Sequence, residues 1–403
     1  MALTYYIPDW DDRVDPFYDF VADQHTPGRN PYRDDRYAHE LYEEPPYDGV
    51  LLSRAVIDQS SVKYEGIRAA GNVHRYLRLP ADGRHTVLGD CGAFSYWREH
   101  VPPYETAEML EYYQELGFNY GVSIDHLIFA ELEDEKERRW NITVENAREF
   151  LEQHRRGRYT FTPIGVAQGW DPASYRRAAR ALMKMGYRYI AVGGLVRSQN
   201  SQILRVLEAI QEELRPGTQV HLFGVSRPEH VQTFARLGVT SFDSASRLRR
   251  AWMDGRRNYF LGDAAYSAIR IPEAHGLARD TGRDEGEVRR LEQRALTLLR
   301  AYDRGDASLD ETFEAVIAYA ALSGRATQRV RQDYRRTLEE RPWQRCTCAI
   351  CREVGVEVII FRGNNRNRRR GFHNTWQLYQ QLQALRTQPA PPLVLSAQLE
   401  MPL

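Results

Sequence analysis

From Gly49 to about Phe260 short apolar runs recur, each ending in glycine or a polar residue and each followed by a stretch with helical spacing. Strands are expected at 49–56, 86–90, 120–125, 162–168, 189–193, 219–225 and 240–243, with an eighth near 73–79. Helices are expected at 106–116, 141–154, 172–185, 202–214 and 228–237. Asp171 followed by Pro172 has the form of a capped helix start, and Gly117, Gly186 and Gly238 stand where helices should stop. Such an alternation favours an α/β fold, a closed parallel (β/α)8 TIM-like barrel, with an open doubly wound sheet as the alternative. No G-x-G-x-x-G follows the first strand and no Walker motif occurs, so neither a dinucleotide nor a nucleoside triphosphate site has support.

The rest of the chain divides by composition around a barrel at 49–260. Residues 1–48 mix Tyr5, Tyr6, Trp10 and Phe17 with Asp9, Asp11, Asp12 and Asp15, and read as an irregular N-terminal arm. Residues 261–343 are charged with helical spacing, a helical insertion. Residues 344–386 form a C-terminal subdomain around a cysteine cluster, and 387–403, with Pro389, Pro391 and Pro392, read as an extended or disordered tail. No apolar run approaches a membrane span, the first residues lack the layout of a secretory signal, and four cysteines suit a reducing compartment, so a cytoplasmic protein is expected.

That cluster, Cys346, Cys348 and Cys351 with His373 beyond it, has the donor set of one tetrahedral zinc ion. Four protein ligands leave no corner for water, so the zinc would be structural and the chemistry must lie elsewhere. Disulfides or idle thiols are the alternative, but three cysteines so close pair badly, and the fourth, Cys91, is far upstream.

Lys+Arg and Asp+Glu both number 55, so nothing in the overall charge draws the chain to nucleic acid. Local clusters do: Arg247, Arg249, Arg250, Arg256 and Arg257 form one group, and Arg362, Arg366, Arg368, Arg369 and Arg370 form another, interleaved with asparagines. Each group reads either as a phosphate-binding patch or as a solvated face.

The ends of the expected strands carry Asp90, Asp125, Gln168, Gly193 with Gly194, and Asp243. In a barrel the carboxyl ends of the strands build the active site, so this set reads as functional, although any one Asp could equally cap the next helix. Phe94, Tyr96 and Trp170 are available to stack on a flat ligand or to fill the core. His126 and His221, beside apolar strands, read as hydrogen-bonded core residues rather than as general acids.

These residues carry a resemblance. Leu88-Gly89-Asp90-Cys91-Gly92-Ala93-Phe94 is similar to the D-S-G-[AG]-[FY] segment of the tRNA-guanine transglycosylase superfamily. Ile164-Gly165-Val166-Ala167-Gln168-Gly169 is similar to its G-x-x-Q-G, and Ala191-Val192-Gly193-Gly194-Leu195 to its V-G-G-L. The cysteine and histidine spacing also agrees. The resemblance implies that Asp243 is a nucleophile toward the anomeric carbon and that Asp90 either transfers protons or binds the base. It also implies that Asp125, Gln168, Gly193, Gly194 and Phe94 receive a guanine-like base.

The chain departs from the tRNA enzymes after Asp243, where Ser244-Ala245-Ser246-Arg247-Leu248-Arg249-Arg250 replaces their proline- and threonine-containing loop. Tyr6-Ile7-Pro8-Asp9-Trp10 and Tyr266-Ser267-Ala268-Ile269-Arg270 resemble the DNA-modifying branch of the superfamily. Membership there implies exchange of guanine in DNA for 7-cyano-7-deazaguanine (preQ0) within a restriction-modification type system, beside an ATPase-like partner. The rival readings are the same exchange on tRNA and a non-catalytic subunit that only binds nucleic acid. A zinc hydrolase would need histidines at strand ends, and none are arranged so.

Overall fold

The eighth strand that closes the barrel is Thr4–Pro8, inside the segment read as an arm. The computed structural model describes residues 3–387, so the 388–403 part of the expected tail lies outside the described residues. Numbered in chain order, the strands are β1 (Thr4–Pro8), β2 (Gly49–Ser53), β3 (Thr86–Asp90), β4 (Tyr120–Val122), β5 (Thr162–Ala167), β6 (Tyr189–Val192), β7 (Gln219–Leu222) and β8 (Val239–Asp243). All are parallel and each bonds to the next, with β8 returning to β1 through Thr4↔Ser241, Tyr5↔Phe242 and Tyr6↔Asp243. The closed (β/α)8 barrel expected from the alternation is the fold.

The run near 73–79 is not a strand. Asn72 accepts a hydrogen bond from the Arg75 amide at 2.9 Å and starts the helix Val73–Tyr76, so a local cap outcompetes a short apolar run. Elsewhere the punctuation works as written. Asp171 accepts from the Ser174 amide at 2.7 Å and begins the helix Pro172–Met185, which Gly186 ends at φ +97°.

Strands covered on both faces read as continuous apolar runs. Tyr6, Leu51, Leu88, Val122, Ile164, Val166, Tyr189 and Ala191 pack into one buried cluster on β1–β6. Gly89 faces the other way, since a Cβ there would meet Tyr113 and Phe118, and this alternation turns Leu88 and Asp90 inward.

Two units can be distinguished. One comprises 3–10, 47–245 and 382–387 and holds the barrel; the other comprises 11–46 and 246–381. The expected boundaries therefore shift: β1 belongs to the barrel, the barrel strands end at Asp243, and most of the former arm joins the 246–381 segment. This second unit contains the helices Glu285–Arg304, Leu309–Ala321 and Gln328–Glu340 and the cysteine cluster. Among the described residues no helix is long and apolar enough to cross a membrane.

Closure leaves no room at Gly49. A Cβ there would lie 2.5 Å from the Thr86 carbonyl oxygen and 2.6 Å from the Tyr6 ring, in the heart of the β1–β2–β3 ladder. Gly49→Ala should therefore cost about 1–3 kcal/mol in urea unfolding, as overpacking of a fitted core does. Unchanged stability would contradict this packing.

Candidate active site and metal centre

Asp90 is the last residue of β3 and pairs in register with Ser53 at the end of β2. The chain then turns through Gly92 at φ +88°, where a Cβ would lie 2.5 Å from both Ser53 Oγ and Ala55 Cβ. That turn brings the Gly92 amide back to donate to Asp90 Oδ2 at 3.1 Å. Burial, then the nearby carboxylates of Asp125 and Asp243, push Asp90 up to about 7, against the Gly92 hydrogen bond.

Asp125 follows β4 and is buried. Gln168 Nε2 donates to its Oδ2 at 2.6 Å and the Cys91 thiol to its Oδ1 at 3.1 Å. Burial raises its pKa, and these two donors oppose the rise. Tyr96 supports the arrangement from beneath, its hydroxyl 3.0 Å from Cys91 Sγ and 3.1 Å from the Asp125 carbonyl oxygen. Gln168 Oε1 is buried with no hydrogen-bond partner among the described residues, which leaves an acceptor unspent in the pocket. The two glycines after β6 exist because of this amide: a Cβ on Gly193 would lie 2.2 Å from Gln168 Nε2, and one on Gly194, at φ +79°, 2.9 Å from Gln168 Oε1.

Asp243 ends β8, buried. Its Oδ1 accepts two hydrogen bonds, from His221 Nε2 at 3.1 Å and from the Gly224 amide at 2.9 Å, whereas its Oδ2 accepts none from the described residues. Behind it, His221 Nδ1 is 2.8 Å from Ser241 Oγ, which is 2.6 Å from the Tyr189 hydroxyl.

Of the residues marked in the sequence, Asp90, Asp125, Gln168, Gly193, Gly194 and Asp243 thus gather at the carboxyl ends of the strands. Phe94 is exposed, with its ring 6.2 Å from that of Phe129, so a stacking face is accessible. Tyr96 is buried and acts as a donor instead. His126 is buried, and burial with Arg139 and Arg138 beside it pushes it down to about 4, so it is neutral. The sequence reading missed Cys91 and the link from His221 to Asp243. Only the position of Cys91 between Asp90 and Gly92 signalled the first.

In the second unit, the donor atoms of Cys346, Cys348, Cys351 and His373 lie within 4.8 Å of one another. The three sulfurs are 3.6, 3.4 and 3.3 Å from His373 Nδ1, close to the roughly 3.6 Å edge of a tetrahedron built from zinc–sulfur and zinc–nitrogen bonds. His373 Nε2 donates to the Phe260 carbonyl at 2.6 Å, which leaves Nδ1 as the lone pair a metal needs. Gln377 Nε2 lies 3.4 Å from Cys346 Sγ, and the Tyr259 ring stacks on His373 at 4.0 Å. The cluster fits a closed metal site.

The second arginine group is corrected. Arg366, Arg369 and Arg370 are buried on the helix Asn364–Thr387 and occupied internally. Arg366 binds Glu357 at 2.6 Å, Asp23, and the Phe20 carbonyl. Arg369 binds Glu353 at 3.0 Å and the Asp15 carbonyl, and Arg370 binds carbonyls of Ala251, Val358 and Ile360. Arg368 retains part of its exposure while pairing with Asp12 at 3.4 Å. Arg366, Arg368 and Arg369 stitch residues 12–23 to the helix, and burial of such guanidiniums is tolerable only with carboxylates and carbonyls around them. Arg249 and Arg250 are exposed on the helix Ser246–Met253, and Arg247 lies 3.9 Å over the Phe260 ring.

Comparison with known proteins agrees with this geometry. The family model described as queuine tRNA-ribosyltransferase matches residues 50–256. The DNA-guanine transglycosylase of Salmonella montevideo is 43% identical over 407 residues, covering 94% of this chain and 97% of that protein. The tRNA-guanine(15) transglycosylase of Pyrococcus abyssi is 28% identical over 41% of this chain and 30% of its own length. That of Thermococcus kodakarensis is 29% identical over 49% and 34%.

The raised Asp90 has a thermodynamic consequence. An unfolded aspartate ionises near 3.8 but the folded one near 7, so this group's contribution to stability is fully present below 3.8 and is lost as pH climbs through 7. Asp90→Asn, a neutral isostere, should therefore raise the melting temperature more at pH 8 than at pH 4. Equal shifts at both would show that Asp90 ionises normally.

Proposed function

The chain belongs to the queuine tRNA-ribosyltransferase family and is a guanine transglycosylase; on that premise we propose that its polymer substrate is DNA and that the incoming base is 7-cyano-7-deazaguanine. The observation that carries the choice of polymer is likeness: near full-length similarity to a DNA-guanine transglycosylase, against partial similarity to enzymes of tRNA. The chemistry rests on three carboxylates in one mouth, two of them buried and one held near neutral pKa.

In this reading Asp243 Oδ2 attacks C1′ of the target deoxyguanosine. The C1′–N9 bond breaks, its electron pair leaves with guanine, and protonated Asp90 supplies the proton that neutralises the departing base. The incoming base then yields its N9 proton to Asp90 and attacks C1′, and the C1′–Oδ2 pair returns to Asp243. Two displacements preserve the sugar's configuration. A group titrating near 7 suits both proton transfers at neutral pH.

Asp125 and Gln168 account for the base. Before it binds, Gln168 Nε2 occupies Asp125 Oδ2. The N1–H and amino group of a guanine-like purine replace that donor, which releases the Gln168 amide, beside the Gly194 backbone, for the carbonyl oxygen O6. Adenine offers the opposite pattern on this edge. A duplex hides both C1′ and this edge, so the nucleotide must be flipped out, at a cost of about a few kcal/mol that phosphate contacts help offset. Arg249 and Arg250 are the proposed phosphate contacts. The ion held by the Cys3His cluster is proposed to be zinc, with a structural role.

Labelled 7-cyano-7-deazaguanine offered with duplex DNA or with tRNA should enter the DNA; label in tRNA alone would reverse the assignment. Asp243→Ala should lose exchange by at least about 10³-fold, as loss of a covalent nucleophile does, together with any adduct on denaturing gels. If Arg249 and Arg250 each neutralise one phosphate, replacing both by alanine should reduce the log–log salt slope of DNA binding by about 2.

A further inference from the structure

The hydrogen-bond chain behind Asp243 is wholly buried: Tyr189, Ser241 and His221 are each 4% exposed or less. We propose that this chain positions the Asp243 carboxylate by fixing Oδ1, so that Oδ2 alone faces the sugar, and that His221 is its decisive member. The inference rests on Asp243 being the nucleophile and adds how that nucleophile is aimed.

One donor order satisfies every member of the chain. Asp243 Oδ1 accepts only, so His221 Nε2, 3.1 Å away, carries the proton. In the tautomer that carries its proton on Nε2 alone, Nδ1 is a lone pair and Ser241 Oγ, 2.8 Å away, donates to it. Ser241 in turn accepts from Tyr189 at 2.6 Å, and burial raises the pKa of that phenol, which keeps it protonated as a donor. Each link therefore fixes the direction of the next, and the last N–H points at the carboxylate.

The ring is also held mechanically. Tyr6 packs edge-on against it at 5.8 Å and Phe223 at 4.8 Å, so rotation that would withdraw Nε2 meets aromatic walls. The second donor to Oδ1, the Gly224 amide, stands at φ +67°, where a Cβ would come 2.6 Å from Val196 Cγ2. Two donors on one oxygen and none on the other make the carboxylate asymmetric. Oδ2 is not among the buried side-chain atoms that lack a partner, so it is open to whatever enters the mouth. Once Oδ2 is bonded to C1′, Oδ1 is the ester carbonyl oxygen and the same two donors still fit it.

Four variants test the role, using the full-length protein and the exchange of labelled base into duplex DNA. His221→Phe removes the donor and should lower kcat about 100-fold, the cost of a nucleophile misplaced by about 1 Å. KM for the incoming base should stay within about threefold, because base binding is left intact. His221→Gln keeps an N–H within reach of Oδ1 and should recover part of the loss. Ser241→Ala, which touches neither Asp243 nor the base, should give a smaller fall in kcat, and Tyr189→Phe the smallest. Wild-type kcat in His221→Phe would overturn the proposal, as would losses in all four variants that only follow the fraction of folded protein. If His221→Phe cannot be obtained folded, full kcat in folded Ser241→Ala overturns it alone. Exchange surviving in Asp243→Ala would instead refute the nucleophile assignment, which separates the two failures.

Discussion

Asp125 and Asp243 are buried at one end of a barrel that also holds Asp90, and a low-dielectric site cannot carry three unshielded negative charges. The surrounding side chains are the solution to that problem. Gln168 and Cys91 spend their donors on Asp125, and His221 and the Gly224 amide spend theirs on Asp243. Asp90 accepts from the Gly92 and Cys91 amides, yet burial and the two other carboxylates push it up to about 7. The three carboxylates are thus set apart from one another by where hydrogen-bond donors were placed. Even the glycines serve it, since Gly193 and Gly194 leave the space that the Gln168 amide fills.

Most of this could be read from the chain, for identifiable reasons. Strands covered on both faces must be apolar and must end where the chain turns, so β2 to β8 stood out, and the polar residues at their ends marked the mouth. β1 did not, because Thr4–Pro8 is followed at once by a run of aspartates and aromatics that resembles an irregular arm. The short run near residue 73 misled in the opposite sense, since Asn72 caps a helix there. His221 looked like a core histidine and is one. What periodicity could not show is that its second hydrogen bond ends on Asp243.

The arginines illustrate a different limit. On the helix Asn364–Thr387, Arg366, Arg369, Arg370 and His373 recur at three- and four-residue spacing, the pattern of a buried stripe. Written in arginine, that stripe reads as a polyanion-binding surface. Its partners, Asp23, Glu353 and Glu357 with a set of backbone carbonyls, are scattered over more than three hundred residues of sequence and become visible only when folded together.

The pairing of β1 with β8 also orders events in time. Tyr5 and Ser244, 239 residues apart, are joined by a hydrogen bond, so the first strand to leave the ribosome waits for the last before either has its neighbour. Contacts of such sequence separation are slow to form and leave strand edges uncovered meanwhile. The residue whose synthesis completes the ring is Asp243 itself, so a nascent chain that stops short of it is an open sheet that also lacks the carboxylate at the end of β8.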